Sequence, residues 1–125
     1  MTMTSEEFVR RIQMMIYRSS IDGNISYLED PPGRRPDPIV IKLSQWFKKL
    51  SSEDKEYLRA IIQMAVGDAV FGMLVILDGD RTIREAGEPL GKLELRYNVE
   101  NQSILLNDPK GDPLHDIFRD LAPFP

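Results

Sequence analysis

From residue 64 to residue 77 every side chain is apolar or glycine except one, Asp68. A run of this kind has to be covered by other elements, and a carboxylate inside it is costly unless it is paired. The run continues a period set up earlier, with Leu58, Ile61, Ile62, Ala65, Val66, Ala69, Val70, Met73 and Leu77 recurring at helical spacing. The pattern predicts one long helix, apolar nearly all round beyond Met64 and surrounded by other helices. Ser51 or Ser52 serves as its cap, Glu53, Asp54 and Glu56 fill its first turn, and Gly79 suits the residue after its end. A rival reading makes residues 73–77 a strand with Asp78-Gly79 as a hairpin turn. The unbroken period favours the helix. Asp68 is then expected to be structural, accepting hydrogen bonds from a loop or pairing with Arg81, Arg84 or Arg96. A pocket around Asp68, or a binding seam along the small residues Ala65, Gly67, Ala69 and Gly72, are the functional alternatives. As a membrane span the run reads as too short, since about 20 apolar residues are needed, and Asp68 interrupts it.

Two shorter amphipathic helices are predicted before it. In the first, Thr4-x-x-Glu7 is a capping box. Phe8, Val9, Ile12, Met15 and Ile16 fall on one face, with Arg10, Arg11, Gln13 and Arg18 on the other. This helix is expected to fray at Ser19-Ser20, leaving residues 21–37 as a connection whose "EDPPGRRPDP" is too proline-rich for helix. Arg34 and Arg35 are exposed there. The second helix starts with Asp37 as N-cap and Pro38 at its first position. Its Ile39, Leu43, Trp46, Phe47 and Leu50 are expected to face the core.

Downstream the period changes. In "KLELRYNV", Leu93, Leu95, Tyr97 and Val99 alternate with polar residues, the mark of a half-buried strand. "SILL" follows after Glu100-Asn101-Gln102, so the two segments predict a hairpin that has to lie against helices. Asp112-Pro113 repeats the Asp-Pro start and opens a short last helix, with Leu114, Ile117, Phe118 and Leu121 inward and "APFP" ending the chain. The fold class read from these elements is α+β and mostly helical. It comprises three packed helices with a central apolar one, a β-hairpin and a short C-terminal helix, in one domain over residues 1–125.

Several chemistries are disfavoured by residue types alone. The chain has no cysteine, which removes disulfides and thiolate metal sites and fits a reducing, cytoplasmic setting. No His/Cys spacing supports zinc. "DGDRTIREAGEP" fails as a calcium loop, with Ile83 where glycine is required and Pro89 where the bidentate glutamate belongs. "GEPLGKL" is one residue short of a phosphate loop and lacks the hydroxyl residue after its lysine. The single histidine, His115, sits between Asp112 and Asp116 and reads as surface chemistry rather than a catalytic base. No catalytic residue, metal or cofactor is therefore expected. Residues 1–63 hold ten Lys/Arg against nine Asp/Glu, and residues 64–125 hold six against eleven. A chain with an acidic half and no basic surface is a poor nucleic-acid binder. The candidate binding residues are the carboxylates Asp68, Asp78, Asp80, Asp108, Asp112 and Asp116.

The segments "DAVFGMLVILDGDRTI", "GKLELRY" and "ILLNDPKGDPLHDIF" resemble small bacterial proteins of the kind found among the immunity partners of polymorphic toxins. The resemblance spans roughly residues 65–120, on the motifs F-G-x-L-x-x-L-D-G and L-x-N-D. It implies no catalytic residue. It implies a cytoplasmic interaction protein, an inhibitor whose acidic surface binds a basic toxin domain. The alternative is a small enzyme or ligand-binding domain built around Asp68, and a third is a purely structural role as a homo-oligomer.

Overall fold

The computed structural model describes residues 2–121. Three contiguous helical segments open the chain: α1 (Ser5–Ile12), a π-helical segment (Gln13–Arg18) and α2 (Ser19–Glu29). Then come α3 (Pro38–Lys48), α4 (Ser52–Asp78), the strands β1 (Arg96–Val99) and β2 (Gln102–Leu105), and α5 (Leu114–Leu121). The protein is α+β and mostly helical, with one antiparallel hairpin and a short C-terminal helix, as its periodicity predicts. The expected tail "APFP" lies outside the described residues.

The first helical stretch is longer than its sequence suggests, and the reason is the π segment. Val9, Gln13, Tyr17 and Ile21 are all buried, each four residues from the last. In an α-helix such a stripe drifts about 40° per step away from its face. The wider π turn takes up that drift and returns Tyr17 and Ile21 to the core side. Gln13, expected on the polar face, is therefore buried, whereas Met15 and Ile16, expected inside, are 66% and 46% exposed. The helix does not fray at Ser19-Ser20. It runs to Glu29, and the connection shrinks to residues 30–37.

Caps explain most of the boundaries. Thr4 Oγ1 accepts from Glu7 N–H, which is half of the expected box. The Glu7 carboxylate does not return to the cap, because it takes charge-assisted bonds from Arg10 and Arg11 instead. Those guanidinium groups, Arg10 first, lower its pKa to about 2. What Glu7 adds to the helix is thus fully present above its ordinary value of 4.5 and is lost only as pH falls through about 2. Asp37 accepts from Ile39 N–H and Ser51 from Asp54 N–H, both as the sequence predicts. Gly79 ends α4 at φ 82°, a left-handed conformation open to glycine at no steric cost.

The core gathers where α1, the π segment, α4 and α5 meet. Val9, Tyr17, Ile21, Leu74, Leu114 and Phe118 form it, with Phe71, Val70, Leu77 and Leu95 packed around. Tyr17 and Phe118 rings meet at 5.7 Å. Two expectations fail here. Within α4 only Gly67 and Leu74 are buried, so the apolar helix is not enclosed by others. By length and composition it is also long and apolar enough to cross a membrane, because the apolar pattern extends back past Met64. In α3 the buried residues are Ser44 and Phe47, while Ile39, Leu43 and Trp46 are 55%, 43% and 48% exposed. The cause is the packing of α3 on α2, where Ser44 Oγ donates to Leu28 C=O at 2.6 Å. That contact turns the large apolar residues of α3 outward.

Candidate functional site

The polar chemistry concentrates where α4 ends and α5 begins. Asp78, the last residue of α4, has a side chain only 6% exposed. Its Oδ1 accepts from Leu114 N–H and its Oδ2 from His115 N–H, each at 2.9 Å. One carboxylate thus satisfies two of the free N–H groups at the start of α5, at the positive end of that helix. The sequence predicts Asp112 for this role by analogy with Asp37. The structure assigns it to a residue 36 positions away. Asp78 is therefore a structural cap and not an exposed binding group.

The same carboxylate holds the histidine. His115 Nδ1 lies 2.5 Å from Asp78 Oδ2, and Nε2 lies 3.3 Å from Asp80 and 3.5 Å from Asp116. Carboxylates only accept, so a proton on either ring nitrogen finds an acceptor. The edge of the ring meets Phe71 at 5.5 Å, perpendicular to it. Arg119 pairs with Asp116 and lies over the other side of the node, 5.5 Å from the Phe71 ring. His115 is 8% exposed, so the expectation of a surface histidine is overturned. The signal for it is absent from local sequence, since Asp78 and His115 are 37 residues apart.

A second buried polar residue completes the fastening. Asn107 donates from Nδ2 to Leu77 C=O at 2.6 Å and to Leu93 C=O at 3.0 Å, and its Oδ1 accepts from Leu95 N–H at 2.9 Å. Leu77 C=O is one of the carbonyls that a helix end leaves without an intrahelical partner. Leu106 N–H adds a bond to Leu95 C=O at 2.8 Å, beyond the ladder proper. This is why the first strand is shorter than its alternation predicts: at Leu93 and Leu95 the side chain of Asn107 stands where a second strand would. The motifs F-G-x-L-x-x-L-D-G and L-x-N-D thereby acquire a physical content, with Asp78, Gly79 and Asn107 as the residues that join α4, the hairpin and α5.

Asp80, Asp108 and Asp112 are exposed, and Asp116 is half-buried. Asp108 is a turn residue, accepting from Lys110 N–H. Asp112 and Asp116 border one depression with Asp120, and Asp80 meets them through His115. Arg119 offsets part of this charge at Asp116, His115 Nε2 stands beside Asp80, and Asp112 and Asp120 are left without a cationic partner among the described residues. Asp68 stands apart. It is exposed, with no hydrogen bond or ion pair among the described residues, on an α4 face it shares with Tyr57, Ile61 and Met64. It is neither buried nor paired, because the side of α4 it lies on carries no neighbouring element.

Two hollows remain. One of about 550 Å³ lies between the end of α4 and the segment 81–93, with Asp78, Arg81, Arg84, Lys92 and Asn107 among its lining residues. Asp68 is not among them. The other, about 230 Å³, is bordered by Gln13, Tyr17, Asp22, Arg59 and Gln63. Gln13 Nε2 is buried beside it without a hydrogen-bond partner, and a polar recess of that size admits water. Among the described residues no group of three or more His, Asp and Glu is arranged to hold a metal ion. Comparison with family models, curated proteins and solved structures finds no match.

Proposed function

We propose that this chain is an interaction protein, an inhibitor of the immunity type that binds a basic partner domain through the acidic end formed by α4 and α5. One observation carries the reading: Asp80, Asp112 and Asp120 are exposed at the junction that Asp78 and His115 hold in place, and Asp112 and Asp120 have no cationic partner among the described residues. Charge presented on a fixed scaffold attracts a basic partner over a distance and orients its approach. The absence of a nucleophile and base pairing in the sequence agrees with action by binding. The resemblance to immunity partners points the same way. The work of the acidic end divides between two sets of residues. Asp78 builds it, and Asp80, Asp112 and Asp120 present charge.

The experiment is association of the purified chain with a purified basic toxin domain. Replacing Asp80, Asp112 and Asp120 by lysine is expected to leave the circular dichroism spectrum unchanged. The same change slows association at low salt by about tenfold or more, a difference that added salt removes. A lysine variant that associates as fast as the parent at low salt refutes the acidic end as the docking site. The reading of a pocket around Asp68 is not carried forward, since Asp68 lies on an open helix face.

A further inference from the structure

The acidic end leaves the other side of the molecule unexplained. On α4, Tyr57, Ile61 and Met64 are 60%, 61% and 64% exposed, and on α3 Ile39, Leu43 and Trp46 are 55%, 43% and 48% exposed. Large apolar side chains in two contiguous faces mark a surface that is covered in use. The total surface agrees. A monomeric chain of 14.4 kDa is expected to expose about 6,800 Å². This one exposes 9126 Å². Part of that excess belongs to the exposed segment 79–94, and part to these helical faces.

We infer that a second copy of this chain covers them, with the α3 face of each protomer seated on the α4 face of the other. Three observations support the choice of occupant. First, the apolar area is of the right order. A large side chain buries roughly 150–200 Å² when fully covered, so six that are about half exposed offer roughly 500 Å². A standard interface takes about 800 Å² from each partner, a little over half of it apolar. Second, the two faces complement each other. Asp68, acceptor only, stands without a partner on the α4 stripe. The indole N–H of Trp46, donor only and about half exposed on α3, has no partner among the described residues. In a two-fold pair the contact of α3 with α4 occurs twice, and each unpaired donor has an acceptor to meet. Third, an apolar face has to be covered from synthesis onward, and the partner always present at matching concentration is another copy of the same chain. A lipid surface fits less well. The opposite side of α4 packs on α2 and α5, and Asp68 in the centre of its exposed stripe is costly within hydrocarbon.

Sedimentation of the full chain tests this, with neutral phosphatidylcholine vesicles as a second arm. The expected species has twice the 14.4 kDa mass of the chain. Ile61→Lys is expected to weaken it by about 30-fold or more, the loss of one central contact of about 2 kcal/mol, with an unchanged circular dichroism spectrum. Trp46→Phe and Asp68→Ala, which keep the apolar area, are expected to weaken the dimer by less and to be non-additive in combination. If Ile61→Lys fails to fold, that coupling between Trp46 and Asp68 decides the matter on folded protein. A chain that is monomeric at high micromolar concentration overturns the inference. So does a dimer that Ile61→Lys leaves intact, or a monomer that partitions onto the vesicles. None of these outcomes bears on the acidic end, which lies outside both faces.

Discussion

The junction of α4 with α5 and the outward faces of α3 and α4 treat their chemically awkward groups in opposite ways. At the junction, Asp78, Asn107 and His115 are buried polar side chains, and each is bonded to groups far away in sequence. On the helical faces, Ile61, Met64 and Trp46 are large apolar side chains, and Asp68 is a carboxylate, left exposed. The first region is finished within the chain. The second is unfinished within it. Groups that fasten a fold and groups that await a partner are told apart here by whether their physical need is met in one protomer.

Substitutions at the junction are the way to break that contrast from one side. Asp78→Ala removes two caps and the histidine's partner together. It is expected to cost about 3–5 kcal/mol, the range for removing one member of a buried charged pair, measured by urea denaturation. Asp78→Asn, which keeps one acceptor oxygen, is expected to cost less. Asn107→Ala strands Leu77 C=O, Leu93 C=O and Leu95 N–H, and about 2–4 kcal/mol is expected from the lost bonds and unsatisfied groups. Losses below about 1 kcal/mol at both positions, within the range of ordinary surface changes, would mean the junction is not the fastening point.

Much of the fold was legible because it is written locally. Capping residues Thr4, Asp37 and Ser51, the αL glycine Gly79 and the 3.6 period of α4 each act within four residues of themselves. The hairpin alternation was legible for the same reason. What was not legible depends on distance or on a partner. The Asp78 cap crosses 36 residues, and Asp112-Pro113 offers a local decoy for it. The π segment hides behind a four-residue stripe, Val9, Gln13, Tyr17 and Ile21, whose second member is polar. The burial expected of Asp68, Trp46 and Leu43 is not met in the structure. A helical period records which residues share a face without recording whether another element of the chain packs on it.

Two smaller effects sharpen the contrast. Glu100 holds φ at 53° at the first position of the β1–β2 turn, where glycine is favoured. Glu100→Gly is therefore expected to raise stability by about 0.5–1 kcal/mol, read as an upward shift in melting temperature. Asp68→Ala, on an open face, is expected to change the stability of the isolated protomer by less than about 0.5 kcal/mol. A loss as large as that at Asp78 would show that Asp68 is paired within its own chain, and would erase the difference between the two regions.

The most direct measurement compares methionines that the chain exposes to the same degree. Met64 on α4 is 64% exposed and Met15 on the π segment is 66% exposed. Treated with peroxide at high protein concentration and followed by mass spectrometry, Met64 is predicted to oxidise more slowly than Met15. That difference should close on dilution as the covering partner leaves. Equal oxidation of the two at every concentration would contradict the account, because the α4 face would then be open to water in solution as it is in the single chain.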